Sequence, residues 1–163
     1  MRPKRNDMFD KTSGNVKMGI EGAGPKIMIP AVIVFIVTAW ISYTYRLTIP
    51  VSSEILTIVG LVLLVPGLLI WIWAMIAFLP AYFGDRLATR GPYAVMLNPV
   101  YSSWIVLVIP GIALLTGWWL LLLTSVVMYV AMLLSVHSED AFLRQKFGKT
   151  YEEYRERVLL KFL

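Results

Sequence analysis

The sequence predicts an all-α membrane protein with about four transmembrane helices and short amphipathic helices at its C-terminal end. Composition is the first reason: 58% of the 163 residues are hydrophobic and only 15% are charged, whereas a soluble domain carries roughly 25% charged residues. The second reason is that no Asp, Glu, Lys or Arg occurs in 27–45, 55–84 or 91–138. A spanning helix needs about 20 apolar residues, so these stretches accommodate one, one and two spans.

The first two spans are expected at about 27–45 and 55–79. Pro30 would lie in the first turn of the first span, where no backbone donor is needed. Pro80 would help to end the second span. Residues 1–26, which precede the first span, are expected to form a cytoplasmic N-terminal tail.

The third span is expected at about 99–116 and has a clear start signal. Asn98 suits the N-cap position and Pro99 the first helical position. The Pro110-Gly111 pair predicts an internal break, because proline lacks a backbone donor and glycine favours the helix only weakly.

The fourth span is expected at about 118–136, which completes a transmembrane domain over 27–136. The C-terminal segment, 137–163, is charged but amphipathic, and Gly148 divides it. We therefore expect two short helices that lie along the membrane surface and complete a pocket. Helical spacing places five apolar and aromatic residues on one face: Leu143, Phe147, Tyr151, Tyr154 and Val158.

Basic residues indicate the orientation of the chain. Six of the 15 Lys and Arg residues lie in 1–26, two in 81–97 and six in 137–163, and only Arg46 falls on the opposite side. The positive-inside rule assigns the basic side to the cytoplasm. Both termini are therefore expected to be cytoplasmic.

Composition also excludes several classes of function. The chain has no cysteine and a single histidine, which argues against disulfides, a cysteine nucleophile and a metal site. The basic residues lie at the ends of the membrane segments, so they suit anionic membrane lipids and the setting of topology better than nucleic acid.

Polar and turn-forming residues flank the third and fourth spans. Because consecutive spans run antiparallel and have similar lengths, the start of the third span lies level with the end of the fourth. The sequence therefore predicts a cytoplasm-facing pocket between these two ends. The candidate site residues are Gly91, Pro92, Tyr93, Asn98, Pro99 and Tyr101 before the third span, and Glu139 and Asp140 after the fourth.

This pattern resembles the isoprenylcysteine carboxyl methyltransferase and phospholipid methyltransferase superfamily of integral membrane enzymes. Its signature is G-P-Y and then R-H-P-x-Y before one span, a glutamate pair after the next, and a tail L-x-x-x-F-G-x-x-Y-x-x-Y-x-x-R-V. The resemblance covers roughly 87–158. Leu97-Asn98 replaces the Arg-His pair, and Asp140 replaces the second glutamate. The tail is matched by Leu143, Phe147, Gly148, Tyr151, Tyr154, Arg157 and Val158.

The resemblance implies that S-adenosylmethionine binds in the predicted pocket and that its methyl group passes to a membrane-associated, lipid-like or prenylated acceptor. It implies cofactor contacts from the eight candidate site residues. It also implies catalytic roles for Glu139 and for Arg157, the latter at the acceptor side or as a brace for the tail. Since Asn98 cannot titrate as histidine does, an acceptor that needs little base assistance is favoured.

Two other functions remain open at this stage. A non-catalytic scaffold of the same fold is supported by the Leu97-Asn98 replacement. A small transporter or channel-like bundle is the other alternative, although coupled transporters usually place ionisable residues inside the membrane and the predicted spans contain none.

Overall fold

The computed structural model describes residues 23–161, apart from the side chains of residues 23, 137 and 138. Within this range the chain forms four helices long and apolar enough to cross a membrane and a short fifth helix. The predicted all-α fold is thus confirmed, while most of the predicted N-terminal tail, 1–22, lies outside the described residues. The helices are α1 (Ala23–Tyr45), α2 (Ser53–Phe83), α3 (Pro99–Thr116), α4 (Leu122–Phe147) and α5 (Lys149–Arg157).

Helices α3 and α4 form the centre of the bundle. Helix α1 packs along α4, and α2 packs along α3. The outer faces of the spans expose large apolar side chains, as expected of surfaces that face lipid. The core between α1, α3 and α4 consists of Ile27, Ala31, Ile105, Ile109, Met128 and Met132.

Small residues let α2 approach α3 closely. Gly60, Gly67 and Ala74 are buried and recur at every seventh position of α2. From the other side, a Cβ placed on Gly111 would lie 2.8 Å from the backbone nitrogen of Leu64. Close backbone contact of this kind drives helix association in membranes. The repeat was present in the sequence but did not enter the sequence predictions.

Helix α3 is irregular just before the Pro110-Gly111 pair, and the predicted break needs correction. The helix continues through Pro110, and Trp104–Val108 forms a π-helical turn in which the Ile109 N–H donates to the Trp104 carbonyl. A proline ring clashes with the preceding turn, and a widened turn is one way to accommodate it. A true break would leave backbone groups unpaired inside the membrane.

Two other prolines also lie inside helices, contrary to prediction. Helix α1 begins at Ala23, so Pro30 is internal and not in the first turn. Helix α2 continues past Pro80 to Phe83. One proline costs a helix a single backbone hydrogen bond, whereas ending the helix in apolar surroundings would cost several.

Helix α4 continues well beyond the predicted end of the fourth span. It follows a 3₁₀ turn at Trp119–Leu121 and reaches Phe147 without interruption. Residues 137–147 therefore form an extension of roughly 16 Å, at about 1.5 Å per residue, instead of a separate surface helix. Gly148, with φ of +51°, ends α4 at the predicted position. This extension carries Glu139 and Asp140.

The α2–α3 contact predicts a specific effect of Gly111→Ala. The added Cβ would meet the backbone of α2 at 2.8 Å, and overpacking of this kind costs about 1–3 kcal/mol. Gly24→Ala is the matched control, because its Cβ would meet only the Tyr101 hydroxyl at an ordinary 3.5 Å. Both changes replace a glycine within a helix by alanine, so comparing them separates the packing effect from the general effect of removing a glycine. Thermal unfolding in detergent should show a lower midpoint for Gly111→Ala, and equal midpoints for the two variants would contradict the proposed packing.

Candidate active site

A cavity of about 910 Å³ lies at one end of the bundle. Its walls come from the end of α2, the connection from α2 to α3, the start of α3, the extension of α4, and α5. Cavities of this size commonly hold small molecules or cofactors. The candidate site residues that line it are Tyr93, Asn98, Tyr101, Glu139 and Asp140.

Gly91 and Pro92 shape one wall without lining it. They begin a 3₁₀ turn, Gly91–Ala94, and Gly91 has φ of +63°. A Cβ on Gly91 would lie 3.0 Å from the indole nitrogen of Trp73, so glycine is favoured both by the backbone conformation and by this close contact. The turn directs Tyr93 against Phe78, with the rings nearly parallel and 6.4 Å apart.

The start of α3 supplies Asn98 and Tyr101. Pro99 occupies the first helical position, as predicted. It is fully buried and does not line the cavity. Asn98 occupies the N-cap position, but its side chain makes no capping hydrogen bond. The backbone carbonyl of Asn98, and not its side chain, accepts hydrogen bonds from the backbone N–H and the hydroxyl of Ser102, at 2.9 and 2.8 Å. The Asn98 amide is therefore available to the cavity.

Glu139 contributes a carboxylate that has no hydrogen bond or ion pair with any other described residue. It is partly buried in the cavity wall, and burial raises its pKa above the ordinary value. Burial also raises the pKa of Tyr93, and the charges of Tyr154 and Glu139 add to this effect. An unpaired carboxylate in a cavity is costly to desolvate, which is typical of a group that awaits a ligand.

Asp140 differs from its neighbour because its carboxylate is already occupied. It accepts a 2.7 Å hydrogen bond from the Tyr151 hydroxyl and lies 3.3 Å from a guanidinium nitrogen of Arg155. Arg144, one turn further along α4, is 3.4 Å away. The hydrogen bond to Asp140 contributes, after burial, to the raised pKa of Tyr151. Asp140 therefore joins α4 to α5, and the adjacent acidic residues have separate roles.

Arg157 does not reach the cavity. Its side chain is 81% exposed and lies 4.0 Å from Glu153 on the same helix. The inward-facing arginine of α5 is Arg155, which pairs with Asp140 and is not among the candidate residues of the sequence. The predicted apolar face of the tail does form: Tyr151, Tyr154 and Val158 are buried, and Leu143 and Phe147 pack against them.

The cavity also contains charged groups that no motif indicated. Lys146 forms an ion pair with Asp85, which lies just beyond the end of α2 and has φ of +52°. The Lys146 ammonium is also 5.8 and 5.4 Å from the ring centres of Phe142 and Phe147. The extension of α4 places Lys146 beside the loop, a juxtaposition that sequence spacing alone does not reveal.

The four spans indicate an integral membrane protein, and the cavity at one end of them is its candidate ligand site. The model of the phospholipid methyltransferase family matches residues 55–150, more than half of the chain. The chain therefore belongs to this family of membrane methyltransferases, and the resemblance seen in the sequence is confirmed. The match includes most of α2, which lies before the stretch 87–158 that carried the resemblance in the sequence. No curated protein and no solved structure matches the chain.

The raised pKa of Glu139 predicts a pH dependence of stability. Between the ordinary pKa near 4.5 and the raised folded-state value, the unfolded chain loses its proton first, so stability falls as pH rises. Glu139→Gln removes this loss. We expect its melting midpoint in detergent to exceed that of the unsubstituted protein at about pH 8 and the difference to shrink toward pH 4.5.

The control for this experiment is Glu156→Gln, which removes an exposed glutamate of α5 and leaves the cavity intact. A difference that is independent of pH, or that appears equally in the control, would contradict the assignment of an ionisable, desolvated carboxylate at Glu139.

Proposed function

We propose that this protein binds S-adenosylmethionine in the cavity and transfers the methyl group to a membrane-associated acceptor. The observation that carries the proposal is the Glu139 carboxylate, which is partly buried, faces the cavity and has no partner among the described residues. Membership of the phospholipid methyltransferase family supports methyl transfer as the reaction class.

The residues of the cavity fit this cofactor. S-adenosylmethionine carries a sulfonium cation and an ammonium group, and Glu139 offers a negative charge to either. Tyr93 and Tyr101 place aromatic rings in the same cavity, and such rings attract cations across their faces. The Asn98 amide can donate and accept hydrogen bonds at the polar edges of the nucleoside or amino acid part. The volume of about 910 Å³ leaves room for part of an acceptor.

When bound, S-adenosylmethionine supplies an activated methyl group, which moves to the acceptor nucleophile while the sulfur keeps the electron pair of the broken bond. The protein has to align the reacting groups and exclude water. A carboxylate acceptor needs no base. An amine acceptor has to lose a proton, and Glu139 is positioned to take it, because its raised pKa brings it closer to neutral pH.

The surroundings of the cavity favour an amphiphilic acceptor. Phe78, Tyr82 and Phe83 at the end of α2 line the cavity together with Lys146 and Arg86. An apolar, aromatic rim beside cationic groups suits a lipid-like or prenylated molecule with an anionic or zwitterionic head. We place this end of the bundle, with both termini, on the cytoplasmic side, where the basic residues concentrate and S-adenosylmethionine is available.

Calorimetry with S-adenosylhomocysteine tests cofactor binding. The purified protein in detergent or nanodiscs should bind this product, and Glu139→Ala should weaken the affinity at least about tenfold, the scale of one lost charged contact. Glu156→Ala is the matched control and should bind normally. Absence of binding by folded protein would overturn the proposal, and equal affinity of the Glu139→Ala variant would remove Glu139 from the site.

A non-catalytic scaffold of the same fold is the second candidate, and one observation favours it. Leu97, which stands where the related signature has arginine, packs against the buried cluster of Tyr151, Tyr154 and Val158. Labelled S-adenosylmethionine and phosphatidylethanolamine vesicles, or a prenylated cysteine, separate the two candidates. Methylated product supports the enzyme, and cofactor binding without product from either acceptor favours the scaffold.

A further inference from the structure

The connection between α2 and α3 carries Tyr93 and Asn98, two of the candidate site residues that line the cavity, but has little structure of its own. Tyr93 belongs to the short 3₁₀ turn and Asn98 immediately precedes α3. Between them, the backbone N–H groups of Val95 and Met96 both donate to the Pro92 carbonyl. These local hydrogen bonds define a turn. They do not fix where the turn lies relative to the extension of α4, which forms the opposite wall of the cavity.

A hydrogen bond between residues distant in sequence helps to fix the position of this turn. The Tyr154 hydroxyl donates to the Tyr93 backbone carbonyl over 2.8 Å, and the bond is buried. Burial raises the pKa of Tyr154 to about 12, so the donor keeps its proton at neutral pH. A buried carbonyl without a donor is costly, so the turn that presents Tyr93 depends on a residue of α5.

The chain after α5 supplies the second constraint. Leu160 donates its N–H to the Val95 carbonyl at 2.9 Å and accepts from the Leu97 N–H at 3.2 Å, which forms a parallel bridge beside Met96. Val158, 3% exposed, anchors this segment in the apolar cluster that contains Leu97. The C-terminal segment thus contacts the connection on both sides of Met96.

We propose that Tyr154 is a positioning residue for the cavity, and that it acts with the Leu160 backbone to hold residues 91–98 in the geometry that presents Tyr93 and Asn98. The effect on cofactor affinity rests on the proposed function, whereas the effect on the connection does not. Tyr154 acts through the Tyr93 carbonyl and does not itself need to touch the ligand.

Tyr154→Phe tests this role, because it removes the hydroxyl and keeps the ring. Hydrogen–deuterium exchange of peptides covering 91–98 should speed up by about tenfold, the factor expected for one lost buried hydrogen bond. S-adenosylhomocysteine affinity should fall by about the same factor. The matched control is Tyr129→Phe in α4, since the Tyr129 hydroxyl has no hydrogen bond within the described residues.

A second pair of variants covers the case in which Tyr154→Phe fails to fold. Leu160→Pro removes the N–H that bonds to Val95, at a position 40% exposed. Leu159→Pro removes a neighbouring N–H that bonds to no described residue, and the extended backbone of Val158 (φ −71°, ψ 132°) tolerates a following proline. Only Leu160→Pro should speed exchange in 91–98 and weaken binding.

The two readouts separate the proposals. If the unsubstituted protein does not bind S-adenosylhomocysteine, the proposed function fails, and the exchange data alone decide whether Tyr154 positions the connection. If it binds, and Tyr154→Phe and Leu160→Pro match their controls in both exchange and affinity, the positioning role is overturned. Faster exchange with unchanged affinity would reduce Tyr154 to a structural contact and would also overturn the proposal.

Discussion

The junction at Asp140 is the interaction on which the candidate site depends. Helix α4 leaves the bundle and, after the turn at Gly148, the chain folds back as α5. The Asp140 carboxylate fixes this return, since it accepts from Tyr151 and pairs with Arg155. Together with the Tyr154–Tyr93 hydrogen bond and the apolar cluster around Val158, the junction holds α5 beside the start of α3, where it forms one wall of the cavity. A carboxylate bonded to several donors within a low-dielectric region is a strong and directional restraint.

The junction also explains why adjacent acidic residues differ. The Asp140 carboxylate already bonds to Tyr151 and Arg155. Of the two adjacent carboxylates, Glu139 is therefore the one that can bind a ligand in the cavity. Glu139 has no partner among the described residues, which costs folding free energy, and its raised pKa reflects the same burial of a charge. Stability sacrificed in this way is common where a protein prepares a site for a ligand. Helix α4 therefore both crosses the membrane and carries Glu139, the acidic residue proposed to bind the ligand.

The sequence predicted the spans well because their signal is strong. A long apolar stretch without charges forms a helix in a bilayer. The Asn98-Pro99 pair correctly predicted the start of α3. The ends of helices were less predictable. Pro30, Pro80 and Pro110 were assigned to ends or breaks, yet all lie within helices, because hydrogen-bond satisfaction in apolar surroundings outweighs the local cost of proline.

The site was predictable as a region but not in its detail. The order of the motifs predicted that Tyr93, Asn98, Tyr101 and Glu139 would lie around one pocket, and all four line the cavity. Motif order could not distinguish residues that line the cavity from residues that support its wall, such as Gly91. The difference depends on the direction in which each side chain points. Motif order also favoured Arg157 over Arg155. Which of the two arginines faces inward depends on how α5 is rotated about its axis when it packs against the rest of the protein.

The most direct test of the account is an experimental structure of the protein in nanodiscs with bound S-adenosylhomocysteine. We expect the ligand to lie in the end cavity between Tyr93 and Tyr101, with its ammonium group or sulfur facing Glu139, while Asp140 keeps its contacts with Tyr151 and Arg155. A ligand bound elsewhere on the bundle, or one that displaces Arg155 to reach Asp140 while Glu139 stays unpaired, would contradict it.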